Sequence, residues 1–308
     1  MKYIDIVNGP QKASAIIQGC MRMPSLSKEE AAKVIETAYE CGINFFDHAT
    51  CYGAGEAETR FAEAFPLTGI KREDIYIQSK TGIYPDRQEF DWTKKSILES
   101  VDGILSRLKV DYIDTLLLHR PDLLFDPQEV AEAFDTLEKA GKVRGFGVSN
   151  LMPTQIELLK KCVKQPLVIN QVQLSLEQSQ LIDQPLYVNN KTTDMSLSRD
   201  CGTLDYCRLK DITIQAWSPL QVGMFKGTFI DNPDFPELNK ALQDIADRDG
   251  VSKTAVALAW ILRHPAKMQA IIGSMNPEHI KDACDATKVE LSHHDWYALY
   301  LASGKFLP

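Results

Sequence analysis

The sequence lacks a Cys-x-x-Cys pair, a His-Glu-x-x-His run and any other Cys/His grouping with zinc-ligand spacing, which argues against a metal centre. No Gly-x-Gly-x-x-Gly follows a strand-like run, so the usual reason to expect a Rossmann dinucleotide domain is missing. Apolar runs of about 18 residues are absent, and no membrane helix is expected. The first twenty residues hold none of the roughly 7 to 15 consecutive apolar residues that a secretion signal requires. Positive charge is scarce: 34 Lys and Arg against 42 Asp and Glu leave a net charge of −8, and basic residues cluster only in pairs such as Lys71-Arg72, Lys94-Lys95 and Lys160-Lys161. Nucleic acid is therefore a poor partner. The seven cysteines, at positions 20, 41, 51, 162, 201, 207 and 284, are odd in number and scattered, as in a reducing compartment. A soluble cytoplasmic protein is expected, with its oligomeric state left open.

What is present is a repeating alternation. The apolar fraction is 44% and the charged fraction 25%, the balance of an ordinary folded chain and not of a disordered, collagenous or coiled-coil one. Eight short runs read as strands: Ala15 to Gln18, Asn44 to Asp47, Ile75 to Ser79, Tyr112 to Leu118, Gly145 to Val148, Val168 to Val172, Thr213 to Trp217 and Ala270 to Ile272. Their apolar content is nearly continuous, as parallel strands buried on both faces require. Helical stretches lie between them. Ser27 with Glu30 reads as a capping box opening the first, and Gly42 as its stop. Eight such units can close into a (β/α)8 TIM barrel, with a doubly wound open sheet as the rival. The pattern favours one barrel domain over residues 1–308, although a chain of this length could hold two domains of about 150 residues. Two long segments, Ser175 to Ser198 after the sixth strand and Gln221 to Asn239 after the seventh, are expected to overhang the active face.

Polar residues stand where the second, third and fourth strands end: Asp47, Lys80 and His119, with Tyr52 five residues beyond Asp47. In a barrel these ends are neighbours on one rim, so carboxylate, ammonium, imidazole and phenol are expected in one pocket. Any one of them alone reads more readily as an ordinary rim residue; four together do not. A phenol with a pKa of about 10 is a poor proton donor at pH 7, and an adjacent ammonium favours its phenolate. Asp47 would hold Lys80 charged, and His119 would donate a hydrogen bond to a carbonyl oxygen. A carbonyl reduced by hydride develops alkoxide character, which such donors stabilise.

The segments Gly42 to Asp47 through Tyr52-Gly53, Ser79-Lys80, Asp111 to Asp114 through Leu118-His119-Arg120-Pro121-Asp122, and Gly141 to Asn150 together resemble the aldo-keto reductase family, over nearly the whole chain. Asn170 to Ser175, Trp217 to Leu220 and Ile272 to Ser274 are similar to its bacterial oxidoreductase branch. The resemblance implies a (β/α)8 barrel that binds extended NADPH without a Rossmann fold, with Asp47, Tyr52, Lys80 and His119 as its catalytic set. It implies that Ser149, Asn150 and Gln171 bind the nicotinamide carboxamide and that Trp217 stacks on the nicotinamide ring. The backbone near Met21 and Arg22 would meet the nicotinamide ribose, and Ser218, Leu220 and Gly223 the pyrophosphate. Ser274, Met275, Asn276 and His279 would surround the adenosine phosphate. There the chain departs from the family pattern, because Lys or Arg often stands beside the Ser and at position 279, so NADPH is expected with NADH as the alternative. A second departure is Ala62, near which Gly is usual. The implied activity is reduction of aldehydes or ketones to alcohols with Tyr52 as proton donor; the alternative is a nucleotide-binding regulatory subunit with little turnover.

Neighbouring residues are read more plainly. His48 is expected to face away from the pocket, because adjacent strand residues point to opposite sides. Cys51 reads as a small buried hydrophobe, with a pocket-lining thiol as the alternative. Tyr84, Trp92 and Phe306 are expected to wall the substrate pocket.

Overall fold

The computed structural model describes residues 1–188, 193–197, 201–223 and 226–308. Among them eight parallel strands close a barrel: β1 (Ile16–Gly19), β2 (Phe45–Asp47), β3 (Tyr76–Thr81), β4 (Thr115–Leu118), β5 (Phe146–Ser149), β6 (Leu167–Gln173), β7 (Thr213–Trp217) and β8 (Gln269–Ile272). Order around the barrel follows order in the chain, and β8 pairs back onto β1 with Ile271 opposite Ile17. These are the eight runs expected from the sequence, to within a few residues.

Around them lie α1 (Lys28–Glu40), α2 (Glu56–Ala64), α3 (Lys94–Leu108), α4 (Pro127–Lys139), α5 (Pro153–Lys160), α6 (Gln180–Leu186), α7 (Thr203–Leu209), α8 (Pro236–Asp249), α9 (Lys253–Leu262), α10 (Pro277–Cys284) and α11 (His293–Ala302). Local chemistry sets where they start. Ser27 Oγ accepts the Glu30 N–H while the Glu30 carboxylate accepts that of Ser27; Ser292 and Asp295 repeat this exchange, and the side chains of Thr93, Asp126, Ser252 and Asn276 each accept one backbone N–H of the first turn. The helix α6, inside the long polar segment after β6, was not legible in the composition and carries Pro185 within it. Residues 189–192 and 198–200 of that segment, and 224–225 of the one after β7, lie outside the described residues.

Alternation sorts the strand residues into two cores. Phe46, Leu116, Leu118 and Val148 face the helices, with Phe46 against Phe61 of α2 at 5.4 Å between ring centroids. Ile17, Phe45, Leu117, Ile169 and Ile271 face inward and join Ile6 and Ala13 in a separate apolar plug. An antiparallel pair, Tyr3–Ile4 with Ala13–Ser14, covers the plug. Gly147 leaves it room, because a Cβ there would stand 2.6 Å from Leu117 Cδ2 and 2.8 Å from Ile169 O. No described helix is long and apolar enough to cross a membrane.

Candidate active site

The ends of β2, β3 and β4 bring Asp47, Lys80 and His119 onto one rim. Lys80 Nζ donates to Asp47 Oδ2 at 2.6 Å, to His48 O at 2.9 Å and to Tyr52 Oη at 3.0 Å, so all three ammonium protons are placed. Burial works against the charge on Lys80, but Asp47, aided by Tyr52, outweighs it and holds the ammonium above the usual lysine range. Tyr52 arrives on a tight turn, Tyr52–Gly55, in which Gly53, Ala54 and Gly55 all have positive φ. Gly55 is required twice over: its φ is +93° and a Cβ would meet Arg107 Cδ at 2.7 Å. Arg107 Nε in turn donates to Glu58 Oε2 at 2.7 Å, and Ser79 Oγ donates to Glu58 Oε1 at 2.6 Å. The turn is thereby tied to β3 beside Lys80.

Burial pushes the Tyr52 phenol up to about 12; Lys80 pulls it back and Asp47 adds to the rise. The ammonium does act in the expected direction, yet burial decides the sum. Tyr52 therefore keeps its proton, and since Lys80 supplies the N–H in their contact, that proton is left to the cavity. His119 is held well below its ordinary value by burial, then by Lys80 and Arg120, and is neutral. Its ring stands edge-on to Tyr52 with centroids 6.0 Å apart, and its Nδ1 lies 3.6 Å from Cys51 Sγ. Burial raises the Cys51 thiol, so the S–H is retained; where it is given to Nδ1, the imidazole proton stands on Nε2. Cys51 lines the cavity, so the pocket-lining reading of it stands.

Beneath the rim the barrel interior carries a chain of amides. Gln78 Nε2 donates to Asp47 Oδ1 at 2.6 Å and to Gln215 Oε1 at 2.8 Å, and Gln171 Nε2 donates to the same two acceptors at 3.0 and 3.1 Å. Gln215 Nε2 donates to Gln269 Oε1 at 3.0 Å, and Gln269 Nε2 to Ser14 O at 2.8 Å. Each amide is oriented by the next, from the covering strand pair up to Asp47. In a low-dielectric interior such bonds are strong when satisfied.

A cavity of about 1340 Å³ opens over this rim, beyond the roughly 300 to 1,000 Å³ usual for one small ligand. Met21, Arg22, Asp47, Tyr52, His119, Ser149, Asn150, Gln171, Trp217, Ser218, Leu220, Ser274, Met275, Asn276 and His279 all line it. Lys80 lies under it, fully buried. Gly223 is outside the lining, where Gln221, Gly227 and Thr228 stand instead. Asn150, at φ +60°, links the strand ends: Trp217 Nε1 donates to its Oδ1 at 3.0 Å, and its Nδ2 donates to Ser149 Oγ at 2.8 Å and to His119 O at 3.2 Å. Arg22 Nη1 donates to Gly273 O at 2.9 Å, so Arg22, expected only through its backbone at the nicotinamide ribose, brings a permanent cation beside Ser274. Asp231, on the loop after β7, pairs with Lys253 at the start of α9, and both line the cavity.

Three expected wall residues are elsewhere. Trp92 is fully buried against Phe125, Tyr84 Oη bonds Ser96 Oγ at 2.6 Å, and Phe306 packs on Tyr187. For Tyr84 and Trp92 the reason is a hairpin, Ile83–Tyr84 with Glu89–Phe90, which turns Ile83 and Pro85 to the cavity instead. His48 does face away, edge-on to Phe61 at 4.8 Å.

A family model described as the aldo/keto reductase family matches residues 15–300. The chain is 36% identical over 302 residues to an uncharacterized oxidoreductase, YcsN, of Bacillus subtilis (strain 168), covering 94% of each. It is 34% identical over 305 residues to a 6-dehydroglucose reductase of Agrobacterium fabrum (strain C58 / ATCC 33970), covering 95% of each. Among solved structures it is similar to a thermostable aldo-keto reductase, Tm1743, in complex with the inhibitor epalrestat. The TM-score is 0.78 at 25% identity, covering 98% of this chain and 100% of that one.

Proposed function

The chain belongs to the aldo/keto reductase family, and from that premise we propose that it reduces an aldehyde or ketone to an alcohol with NADPH, Tyr52 being the proton donor. The observation that carries this reading is the Tyr52 phenol, held 3.0 Å from an ammonium whose other protons are bound, with its own proton left to the cavity.

The residues present fit a nicotinamide dinucleotide. The cavity holds more than one small ligand. Gly273 leaves the space that Arg22 occupies, where a Cβ would stand 2.7 Å from Arg22 Nη1. Ser149, Asn150, Gln171 and Trp217 would hold the nicotinamide end. Arg22, Ser218 and Leu220 would meet the phosphates, and Ser274, Met275, Asn276 and His279 the adenosine end. When bound, the cofactor supplies the hydride. Arg22 and Lys253 favour the additional phosphate of NADPH, while Asp282, exposed on the same wall, opposes it.

The remaining chemistry belongs to the chain. His119 Nε2 donates a hydrogen bond to the carbonyl oxygen and orients it. Tyr52 Oη gives its proton to that oxygen as alkoxide character develops; an alkoxide is a stronger base than a phenolate, so a phenol near 12 still transfers. The Lys80 ammonium stabilises the phenolate left behind, and Asp47 keeps Lys80 charged and placed.

The test is a fluorescence titration with NADPH and NADH followed by an assay of a simple aromatic aldehyde with the tighter cofactor. A reductase consumes cofactor with the aldehyde. Tight binding without consumption of any carbonyl would instead make the chain a nucleotide-binding regulatory subunit.

A further inference from the structure

Arg120 follows His119 at the end of β4, half-buried in the cavity wall. Among the described residues it makes no ion pair and no side-chain hydrogen bond. Its guanidinium instead lies 5.7 Å from the centre of the Trp217 ring. The carboxylates close by in the chain and on the rim are already committed. Asp47 serves Lys80, Gln78 and Gln171, and Asp122 accepts the backbone N–H groups of Trp92 at 2.9 Å and Leu124 at 2.8 Å.

A guanidinium is always charged, and taking it partly out of water without a partner is costly. The Trp217 ring face offsets only part of that cost. The charge also acts on the chemistry nearby, because Arg120 helps keep His119 neutral. With Lys80 balanced by Asp47, the rim carries an excess positive charge facing the space where a substrate would lie. Its planar fork of N–H donors matches a carboxylate in two parallel hydrogen bonds, a geometry that an aldehyde, a hydroxyl or an apolar group does not offer.

We propose that Arg120 selects carbonyl substrates that also carry a carboxylate, oxo acids or aldehyde acids. The carboxylate pairs with the guanidinium while the carbonyl oxygen is presented to Tyr52 and His119. The carbonyl half of this statement rests on the reductase reading; the anion site rests on Arg120 alone.

The test compares 4-carboxybenzaldehyde with its neutral isostere 4-formylbenzamide, and calorimetric binding of the corresponding alcohols, 4-(hydroxymethyl)benzoate and 4-(hydroxymethyl)benzamide, to the wild-type protein, Arg120→Met and Arg120→Lys. The wild type is expected to prefer the carboxylate in kcat/KM by about 10- to 100-fold, the size of a charge-assisted bidentate pair. In Arg120→Met the ratio falls to within about threefold of one, and in Arg120→Lys part of it returns, since an ammonium keeps the charge and loses the fork. Equal kcat/KM for the two aldehydes in the wild type, or a ratio that Arg120→Met leaves untouched, overturns the proposal. So does an Arg120→Met variant that weakens NADPH as much as it weakens the benzoate, for the guanidinium then belongs to the cofactor. If neither aldehyde turns over and the benzoate still binds at least tenfold tighter to the wild type than to Arg120→Met, the anion site stands and the reductase reading falls.

Discussion

Gln78 Nε2 lies 2.6 Å from Asp47 Oδ1 on the neighbouring strand, and so fixes the carboxylate whose other oxygen holds Lys80. Replacing Gln78 by Leu leaves Asp47 Oδ1 with Gln171 alone. Unfolding free energy should drop by about 1 to 3 kcal/mol, the cost of removing one partner from a buried polar pair. Turnover should drop as well, by about three- to tenfold in kcat with KM for the carbonyl little changed, because Lys80 is held less firmly under Tyr52. Urea unfolding and steady-state kinetics read the two effects. A stability loss without any loss of kcat would make the amide chain a packing feature only.

His48 sets a pH dependence. It is fully buried with both ring nitrogens unpartnered among the described residues, and burial, then Lys80, lowers it to about 3. Unfolding returns it to about 6.5. Between those values the unfolded chain binds a proton that the folded protein refuses, so stability rises with pH there and is lost as pH falls from about 6.5 towards 3. The slope reaches up to about 1.4 kcal/mol per pH unit. His48→Leu should flatten the curve by about that slope, as measured by urea unfolding across the window. An identical slope in the variant would mean that His48 is not a buried neutral group.

Trp217 should report cofactor binding. NADPH is expected to quench its fluorescence, and Trp217→Ala to weaken binding by about 1 to 2 kcal/mol through lost stacking. Trp217→Phe keeps a ring but removes the N–H that Asn150 Oδ1 accepts at 3.0 Å, and should fall between the two. Equal affinities in all three proteins would remove Trp217 from the nicotinamide end.

Arg22 and Asp282 should separate the two cofactors. Arg22→Met is expected to weaken NADPH by about tenfold and NADH less, because the guanidinium favours the additional phosphate that only NADPH carries. Asp282→Asn, at an exposed site, should tighten NADPH alone by about two- to fivefold at low salt, an effect that fades as salt screens it. A response of both cofactors to Asp282→Asn would place the adenosine phosphate elsewhere.

The barrel was legible because each strand is an apolar run closed by a polar residue, and the rim residues because they are those closing residues. Asp47 ends β2, Lys80 stands one residue before the end of β3 and His119 one residue past the end of β4, side by side in space. The amide chain was present in the sequence too: Gln78 stands two residues before Lys80 and Gln215 two before Trp217, hence on the same inward face. A polar residue inside an apolar run does not announce which face it takes until one inward neighbour is known. Arg120 was hidden for the opposite reason. Strict alternation would turn it away from His119, but β4 ends at Leu118 and alternation ends with it. Trp92 and Tyr84 were misplaced because the hairpin after β3 reverses which side of its chain meets the cavity. The net direction at Tyr52 needed burial, which no count of neighbouring charges supplies.

The central claim is that Tyr52 delivers the proton, and Tyr52→Phe tests it most directly, since it removes the hydroxyl and keeps the ring. Single-turnover reduction of an aromatic aldehyde should slow by about 10² to 10⁴, while the dissociation constant for NADPH, read from Trp fluorescence, stays within about twofold of the wild type. A Tyr52→Phe protein that reduces the aldehyde within a few-fold of the wild-type rate would contradict the account.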